Sequence, residues 1–564
     1  MKKIILILLI CTNSLIAQTA KKENASLKFA NSIQESIYVH TNSSVLLTGE
    51  TLFYKLYCLN SMNLSFSDVS KIAYVELIDH ERKSVFKQKL LLNKGVSQGD
   101  IFIPTTLNSG SYKLIAYTNW MLNYNSPNMY SEDFVIINPF QSKISIPEVQ
   151  SINNDIKLNP FTFDKKTYSN RELVKIKLNK QNQNLENGKY SISIKKIDEL
   201  KFRDKYTAQN FVSKNTTIPE SKNNNFYTLP EVRGETIRGN IIANDNKTNL
   251  EDITIALSIP GKSFDFKITT TNNKGEFIFI LDASQNASNA IIQVFEDNRH
   301  SYKVELKEST FNYSNLEFLK TKDIPSDLKT NIEKRSIANQ IENAYFSIKK
   351  DTIKENALVQ PFYFPIAKDI SLDDYTRFST IKETIIEILP NVFFREKDGI
   401  FTINLRDKLT NGSESGYTLV LIDGILIQNV KELFDYSSKN IDKVSFIREK
   451  YVFGPKIFNG VINFITKKQD YQLKENGDFI LNSEIKRPLN IKYYYNQEYS
   501  DSLKYDRIPD YRHQLLWNPN LTSESLESEI KFYTSDIKGK YKIIIEGFTD
   551  KGSAISITDS FEVK

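Results

Sequence analysis

The run Leu52-Phe53-Tyr54-Lys55-Leu56-Tyr57-Cys58-Leu59 decides the fold class. It is short, rich in aromatic and aliphatic residues and preceded by Gly49, so it reads as a β-strand. Ser36–Val39 before it, and Ile72–Ile78, Val85–Leu92, Ile101–Ile103 and Tyr112–Tyr117 after it, repeat the pattern. Asn93-Lys94-Gly95, Gln98-Gly99-Asp100 and Asn108-Ser109-Gly110 punctuate them as turns. Short strands at this spacing predict a β-sandwich over 28–140. Cys58 lies among apolar neighbours and reads as buried core rather than as a reactive thiol.

Farther along, Phe161–Phe163, Leu173–Leu178 and Tyr190–Lys195 begin a second β unit over 150–225, which trails into an Asn-rich passage read as loop or linker. Ile237–Ala243, Ile253–Ile259, Phe264–Thr269, Phe277–Leu281 and Ala290–Phe295 give a third unit over 233–310, with Asn272-Asn273-Lys274-Gly275 as one turn. Leu328, Ile332, Ile337, Ile341 and Tyr345 mark an amphipathic helix within a helix-and-linker segment, 325–372. Asp373–Ile388 predicts a second helix, opened by the Asp373-Asp374 pair and closed at Leu389-Pro390. Strands return between Ile400 and Thr466 around Asp423-Gly424, and a last β block spans 505–564. The expected fold class is mainly β: tandem immunoglobulin-like sandwiches with a small α+β domain inserted at 373–470.

At the N-terminus, Lys2 and Lys3 precede the apolar Ile4–Ile10 and Leu15–Ala17, and the small Ala17 suits a signal peptidase. Met1–Ala17 therefore reads as a removable export signal; the apolar run is shorter than the ~20 residues of a spanning helix. No later stretch is apolar enough to predict a transmembrane helix. With 564 residues, roughly three to five domains are expected. A formal charge of +6, with acidic and basic residues interleaved, gives no support to nucleic-acid binding.

Several segments resemble known families. Ile37-Tyr38-Val39-His40-Thr41-Asn42 with Thr48-Gly49-Glu50-Thr51-Leu52-Phe53-Tyr54-Lys55 resembles the opening of a macroglobulin-type (MG2-type) sandwich domain, and Ser109–Leu114 through Tyr117–Met121 is similar to its closing strands. A second copy is suggested from Phe163 through Val174. Ile237-Arg238-Gly239-Asn240-Ile241 with Thr271–Phe277 resembles a carboxypeptidase-regulatory-like domain, a sandwich without peptidase chemistry. Tyr417–Lys468 resembles the plug domain of TonB-dependent outer-membrane receptors: Leu419–Ile425 carries the strand–turn–strand, Ile441–Arg448 the next strand, and Phe453-Gly454 with Phe458-Asn459-Gly460 through Lys467 the closing glycine turns and strand. Asp423-Gly424 suits a tight turn that needs positive φ. Too few residues follow Lys468 for a receptor barrel, so the resemblance implies a plug without its own barrel. Leu372–Phe378, including Tyr375, Arg377 and Phe378, and Tyr511–Asn520 resemble parts of long envelope proteins.

Catalytic signatures are missing from the sequence. Macroglobulin thioesters need a Gly-Cys-Gly-Glu-Gln run, and Cys58 has none. The four histidines, His40, His80, His300 and His513, stand far apart without metal-ligand spacing. Gly412-Ser413-Glu414-Ser415-Gly416 places Glu where a nucleophile belongs. Asp373 and Asp374 read as helix caps rather than paired catalysts. Trp120 and Trp517, beside Tyr117, Tyr124 and Tyr511, read either as edge-of-core packing or as anchors for a partner. The interaction candidates are therefore Asp373, Asp374, Tyr375, Arg377, Phe378, Asp423, Gly424, Gly454, Gly460, Trp120 and Trp517, with no catalytic residue, metal or cofactor.

The expectation is a non-catalytic, exported scaffold at the periplasmic face of a Gram-negative outer membrane. It would bind an outer-membrane protein complex, for example a separate β-barrel. The rival expectation is an accessory part of TonB-linked transport, whose plug-like unit acts on a pore supplied in trans.

Overall fold

The computed structural model describes residues 34–124, 129–147, 160–179, 186–197, 200, 206–214, 228–245, 247–282, 287–308, 311–355, 359–406, 416–499 and 507–564. The expected export signal lies outside the described residues, as do most of the Gly412–Gly416 loop and the end of the Asn-rich passage. The chain is mainly β and divides into two compact units. One is built from the chain up to Val232 with Phe311–Lys354 and Leu489–Lys564, the other from Arg233–Thr310 with Glu355–Pro488.

In the first unit, eight strands make a sandwich: β1 (Glu35–Thr41), β2 (Val45–Leu47), β3 (Thr51–Asn60), β4 (Ile72–Ile78), β5 (Ser84–Leu91), β6 (Val96–Phe102), β7 (Gly110–Tyr117) and β8 (Tyr130–Ile137). One sheet runs β1-β3-β6 and the other β2-β8-β7-β4-β5. Leu56 and Cys58 of β3 share a core with Val75, Leu77, Leu114 and Ala116 of the facing sheet. The thiol of Cys58 is fully buried, and burial pushes its pKa up.

Both faces of β1 are buried, because a second sandwich covers it. Described strands of the 150–225 unit and of the C-terminal block, two stretches whose relation the sequence leaves open, close this one sandwich. Gly188–Lys196 pairs on one side with Gln514–Leu521 and on the other with Gly539–Thr549. Leu173–Leu178 lies between Phe161–Phe163 and Ile530–Tyr533 in the opposing sheet. Val174, Ile176, Ile192, Ile194, Ile543 and Ile545 fill the space between. The Asn-rich passage is also not all loop: Ala208–Lys214 is a helix, because Ala208 and Phe211 bury against Tyr38 and Phe548.

The seam between these two sandwiches mixes aromatic contacts, Phe548 against Tyr38 and Tyr57, with polar ones. Tyr38 donates to Glu546 Oε2 (3.1 Å), Tyr57 donates to the Glu546 carbonyl (3.1 Å), and His40 Nδ1 lies 2.7 Å from Ser191 Oγ. Lys55, only 3% exposed, reaches Asn520 Oδ1 at 3.2 Å. Burial pushes its amine down to about 7, with Lys189 adding to the effect.

The amphipathic helix expected after Pro325 forms over Lys329–Ala344 and packs on the first sandwich. Its Ile332 joins Val45, Leu47, Val135 and Ile137. Arg335, 4% exposed, donates to both carboxylate oxygens of Glu50 at 2.7 Å and to the Val45 carbonyl at 3.0 Å. Burial alone would raise the Glu50 pKa, but the Arg335 guanidinium overrides it and the carboxyl sits below its usual range. Gly49, at φ +89°, lets the helix approach: a Cβ there would stand 2.6 Å from Asn339 Nδ2.

In the second unit, a sandwich pairs Glu235–Ala243, between Glu276–Leu281 and Tyr302–Lys307, against a sheet in the order Asp265–Thr270, Thr254–Ile259, Asn289–Val294 and Ile480–Glu484. A mixed five-stranded sheet follows, ordered Lys368–Ser371, Ile441–Ile447, Val461–Thr466, Leu419–Ile422 and Ile425–Leu426. Leu419, Leu421 and Val461 of this sheet pack on Ala256, Phe264 and Phe266 of the sandwich. Among the described residues no helix is long and apolar enough to cross a membrane.

Two stability predictions follow from these buried charges. Arg335→Met strands the Glu50 carboxylate and should lower the unfolding free energy of the first unit by about 3 kcal/mol in urea titrations. The paired Glu50→Met/Arg335→Met change should recover most of that loss. Lys55 titrates near 7 when folded and near its ordinary 10.5 when unfolded, so the unfolded chain binds more protons between those values. Stability should therefore rise with pH across that window, by roughly 2 kcal/mol or more. Lys55→Met should abolish the rise and leave the protein more stable at neutral pH.

Candidate functional site

The residues singled out from sequence fall into three places. Asp373 and Asp374 belong to a short 3-10 turn, Leu372–Asp374, and do not open the helix predicted from Asp373. That helix is Ile381–Glu387, and Thr380 caps it: Glu383 N–H donates to Thr380 Oγ1 (3.2 Å), while Thr380 N–H donates to Glu383 Oε2 (3.1 Å). The capping box satisfies two backbone donors at once, which the aspartate pair cannot do from its position. Asp373 instead receives Arg377 Nε at 3.0 Å, and that hydrogen bond holds its carboxyl below the usual range. Arg377 Nη1 donates to the carbonyls of Ser438 (2.7 Å) and Ile441 (2.6 Å), stapling the turn to the strand that follows. Phe378 is half-buried, its carbonyl accepting from Ser438 Oγ, and Tyr375 is 49% exposed.

Asp423 and Gly424 form the turn at φ +51° and +80°. The Asp423 side chain, 2% exposed, accepts from Thr466 N–H (2.7 Å), Thr466 Oγ1 (2.6 Å) and Tyr471 N–H (3.2 Å). It ties the exit of one strand to the end of its parallel neighbour. Gly424 has no room for a side chain, since a Cβ would stand 2.2 Å from Phe264 Cδ2. Gly454 and Gly460 also sit at positive φ, with Ile268 and the Ile447 carbonyl in the way of a Cβ.

Neither tryptophan is a surface anchor. Trp120 is 3% and Trp517 5% exposed. Trp120 meets Tyr124 edge-on, and Trp517 lies against His40 and stacks with Phe53. The His40–Ser191 contact has hydrogen-bond geometry, yet neither side chain reaches solvent. Among the described residues no group of three or more histidines, cysteines or carboxylates could hold a metal ion.

Among the described residues, a cleft of about 660 Å³ opens in the first unit. Its walls come from the start of β3, the end of β6, the C-terminal half of helix Lys329–Ala344 with the turn after it, the 492–495 segment, and 511–517. No single stretch of sequence announces it, because these segments are brought together only by the pairing of the two sandwiches.

Four ion pairs line the cleft or buttress its wall. Lys492 Nζ reaches both oxygens of Asp100 (2.8 and 2.9 Å), Arg512 grips Asp510 at 2.7 Å on each oxygen, Lys349 bonds Glu342 at 2.7 Å, and Glu50 holds Arg335. His513 lines the same space, and burial, helped by Arg335, pushes its pKa down to about 4, so the ring is neutral at neutral pH. Asp351 accepts from Tyr495 N–H at 2.9 Å, and burial raises its carboxyl pKa. Phe102, Phe346 and Tyr511 stand 52%, 60% and 38% exposed along the cleft.

No protein-family model matches this chain, and no curated protein matches it. Solved structures similar to it include the Salmonella α2-macroglobulin reacted with methylamine, at 9% identity over 94% of this chain and 39% of that one, TM-score 0.23. Trypsin-activated α2-macroglobulin from Escherichia coli gives 8% identity, 94% and 42% coverage and a TM-score of 0.24. The native E. coli protein gives 10%, 94% and 40%, and 0.24. The chain thus spans about two fifths of the length of these proteins. A likeness at this level assigns no activity.

The Asp423-Gly424 turn yields a direct test. Gly424→Ala drives a methyl group into Phe264 and should destabilise the second unit by about 2 kcal/mol. Asp423→Ala strands two backbone donors, at ~1–3 kcal/mol each. Thermal unfolding followed by near-ultraviolet dichroism reads both.

Proposed function

We propose that this chain is an exported, non-catalytic scaffold of a Gram-negative envelope, carrying macroglobulin-like sandwiches, a carboxypeptidase-regulatory-like sandwich and a plug-like α+β unit. It works at the periplasmic face of the outer membrane and engages an outer-membrane protein complex. The observation that carries this reading is how the chemistry-bearing side chains are used. Asp373 holds Arg377, Asp423 holds Thr466 and Tyr471, and the His40–Ser191 pair is sealed from solvent. In the open cleft Lys492, Arg512 and Lys349 are each held by a carboxylate. Such surfaces suit recognition better than bond-breaking, which needs groups left with unmet proton or charge demand.

The resemblance of Tyr417–Lys468 to receptor plugs supports the outer-membrane partner, since a plug-like unit is complementary to the inside of a barrel. Photo-crosslinking from Tyr375 and Ile400, exposed on the second unit, should capture an outer-membrane β-barrel in intact cells. Capture of inner-membrane or soluble periplasmic proteins alone would discard this function.

A further inference from the structure

We infer that the cleft of the first unit is a binding site for a neutral oligosaccharide, with sugar rings lying on Phe102, Phe346 and Tyr511. This rests on the binding-scaffold reading above and names its ligand. The volume, about 660 Å³, is within the ~300–1,000 Å³ of sites that enclose small ligands and short oligomers.

Charge narrows the ligand first. Asp100, Glu342 and Glu50 each already hold a cation at 2.7–2.8 Å. Arg512 is likewise spent on Asp510. A polyanion or polycation would have to break these pairs and desolvate itself, with no net gain. His513 adds no charge, being neutral.

The polar groups left with capacity are edges of planar side chains. Asn343 gives its N–H to the Gly49 carbonyl (2.9 Å) and Asn339 gives its own to the Thr48 carbonyl (3.4 Å), which leaves their amide oxygens as acceptors beside the space. Asp351, spending one oxygen on Tyr495 N–H, and the His513 imidazole add to them. Acceptors of this kind meet hydroxyl donors.

Flat apolar faces and hydroxyl edges occur together in sugar rings, whose C–H faces lie on aromatic rings. An extended peptide would need a free strand edge for its backbone. At the Gln514–Leu521 edge in the cleft wall, the Leu515 and Leu516 carbonyls already accept from Arg512 Nη1 (3.0 Å) and Gln514 Nε2 (2.6 Å). Gln88 Nε2 donates to the Asp100 carbonyl (2.9 Å), and Gln98 Nε2 donates to the Lys492 carbonyl, so side chains and the 492–495 segment occupy the β6 edge.

The test is calorimetric titration of the full chain with cellohexaose, maltohexaose and chitohexaose, and with a mixed-sequence neutral hexapeptide. One hexasaccharide should bind with Kd below ~1 mM and perturb the emission of Trp517, which lines the cleft. Phe346→Ala and Asn343→Ala should each weaken it at least ~tenfold, the first with an unchanged melting temperature, since Phe346 is 60% exposed. No hexasaccharide binding at ~1 mM, or binding indifferent to both substitutions, overturns the inference. Peptide binding sensitive to Phe346→Ala would overturn the sugar class while leaving the scaffold reading intact. Failure to crosslink an outer-membrane protein would do the reverse.

Discussion

Everything in the first unit depends on one strand, Gly188–Lys196, being hydrogen-bonded on both sides by segments that follow it by more than three hundred residues in sequence. That pairing brings the C-terminal strands onto it, closes the second sandwich, and so covers the outer face of β1. Helix Lys329–Ala344 and the 492–495 segment then have fixed surfaces to pack on. The cleft exists because of these long-range closures.

Closure also explains the character of the seam. Apolar residues fill each sandwich, and where the two meet Phe548 packs on Tyr38 and Tyr57 beside the polar side chains of His40, Lys55, Ser191 and Glu546. A buried amine with a single amide oxygen as partner stabilises nothing by itself. It makes the meeting of the two sandwiches the part of the unit most responsive to proton concentration, and leaves the two cores unaffected.

Much of this architecture was legible locally. The strand run around Leu52–Leu59, the turn at Asp423-Gly424 and the buried setting of Cys58 all follow from periodicity and turn chemistry. The helix expected from Asp373 begins instead at Ile381, because Thr380 with Glu383 three residues on carries a stronger cap signature than the aspartate pair. The tryptophans could not be placed from sequence, since an aromatic residue at a strand end looks the same whether another sheet covers it or not. Phe102, Asn343, Asp351 and His513 of the cleft gave no signal, because segments so distant meet only through sheet pairing that sequence alone does not specify.

The non-sequential sandwich has a consequence for biogenesis. At ~5–20 residues per second, the roughly 320 residues between Lys196 and Gln514 take about half a minute to leave a ribosome. For that interval Gly188–Lys196 has neither neighbour, and two naked strand edges are open to wrong partners. A chain so wired cannot close its second sandwich until its last segment has been delivered.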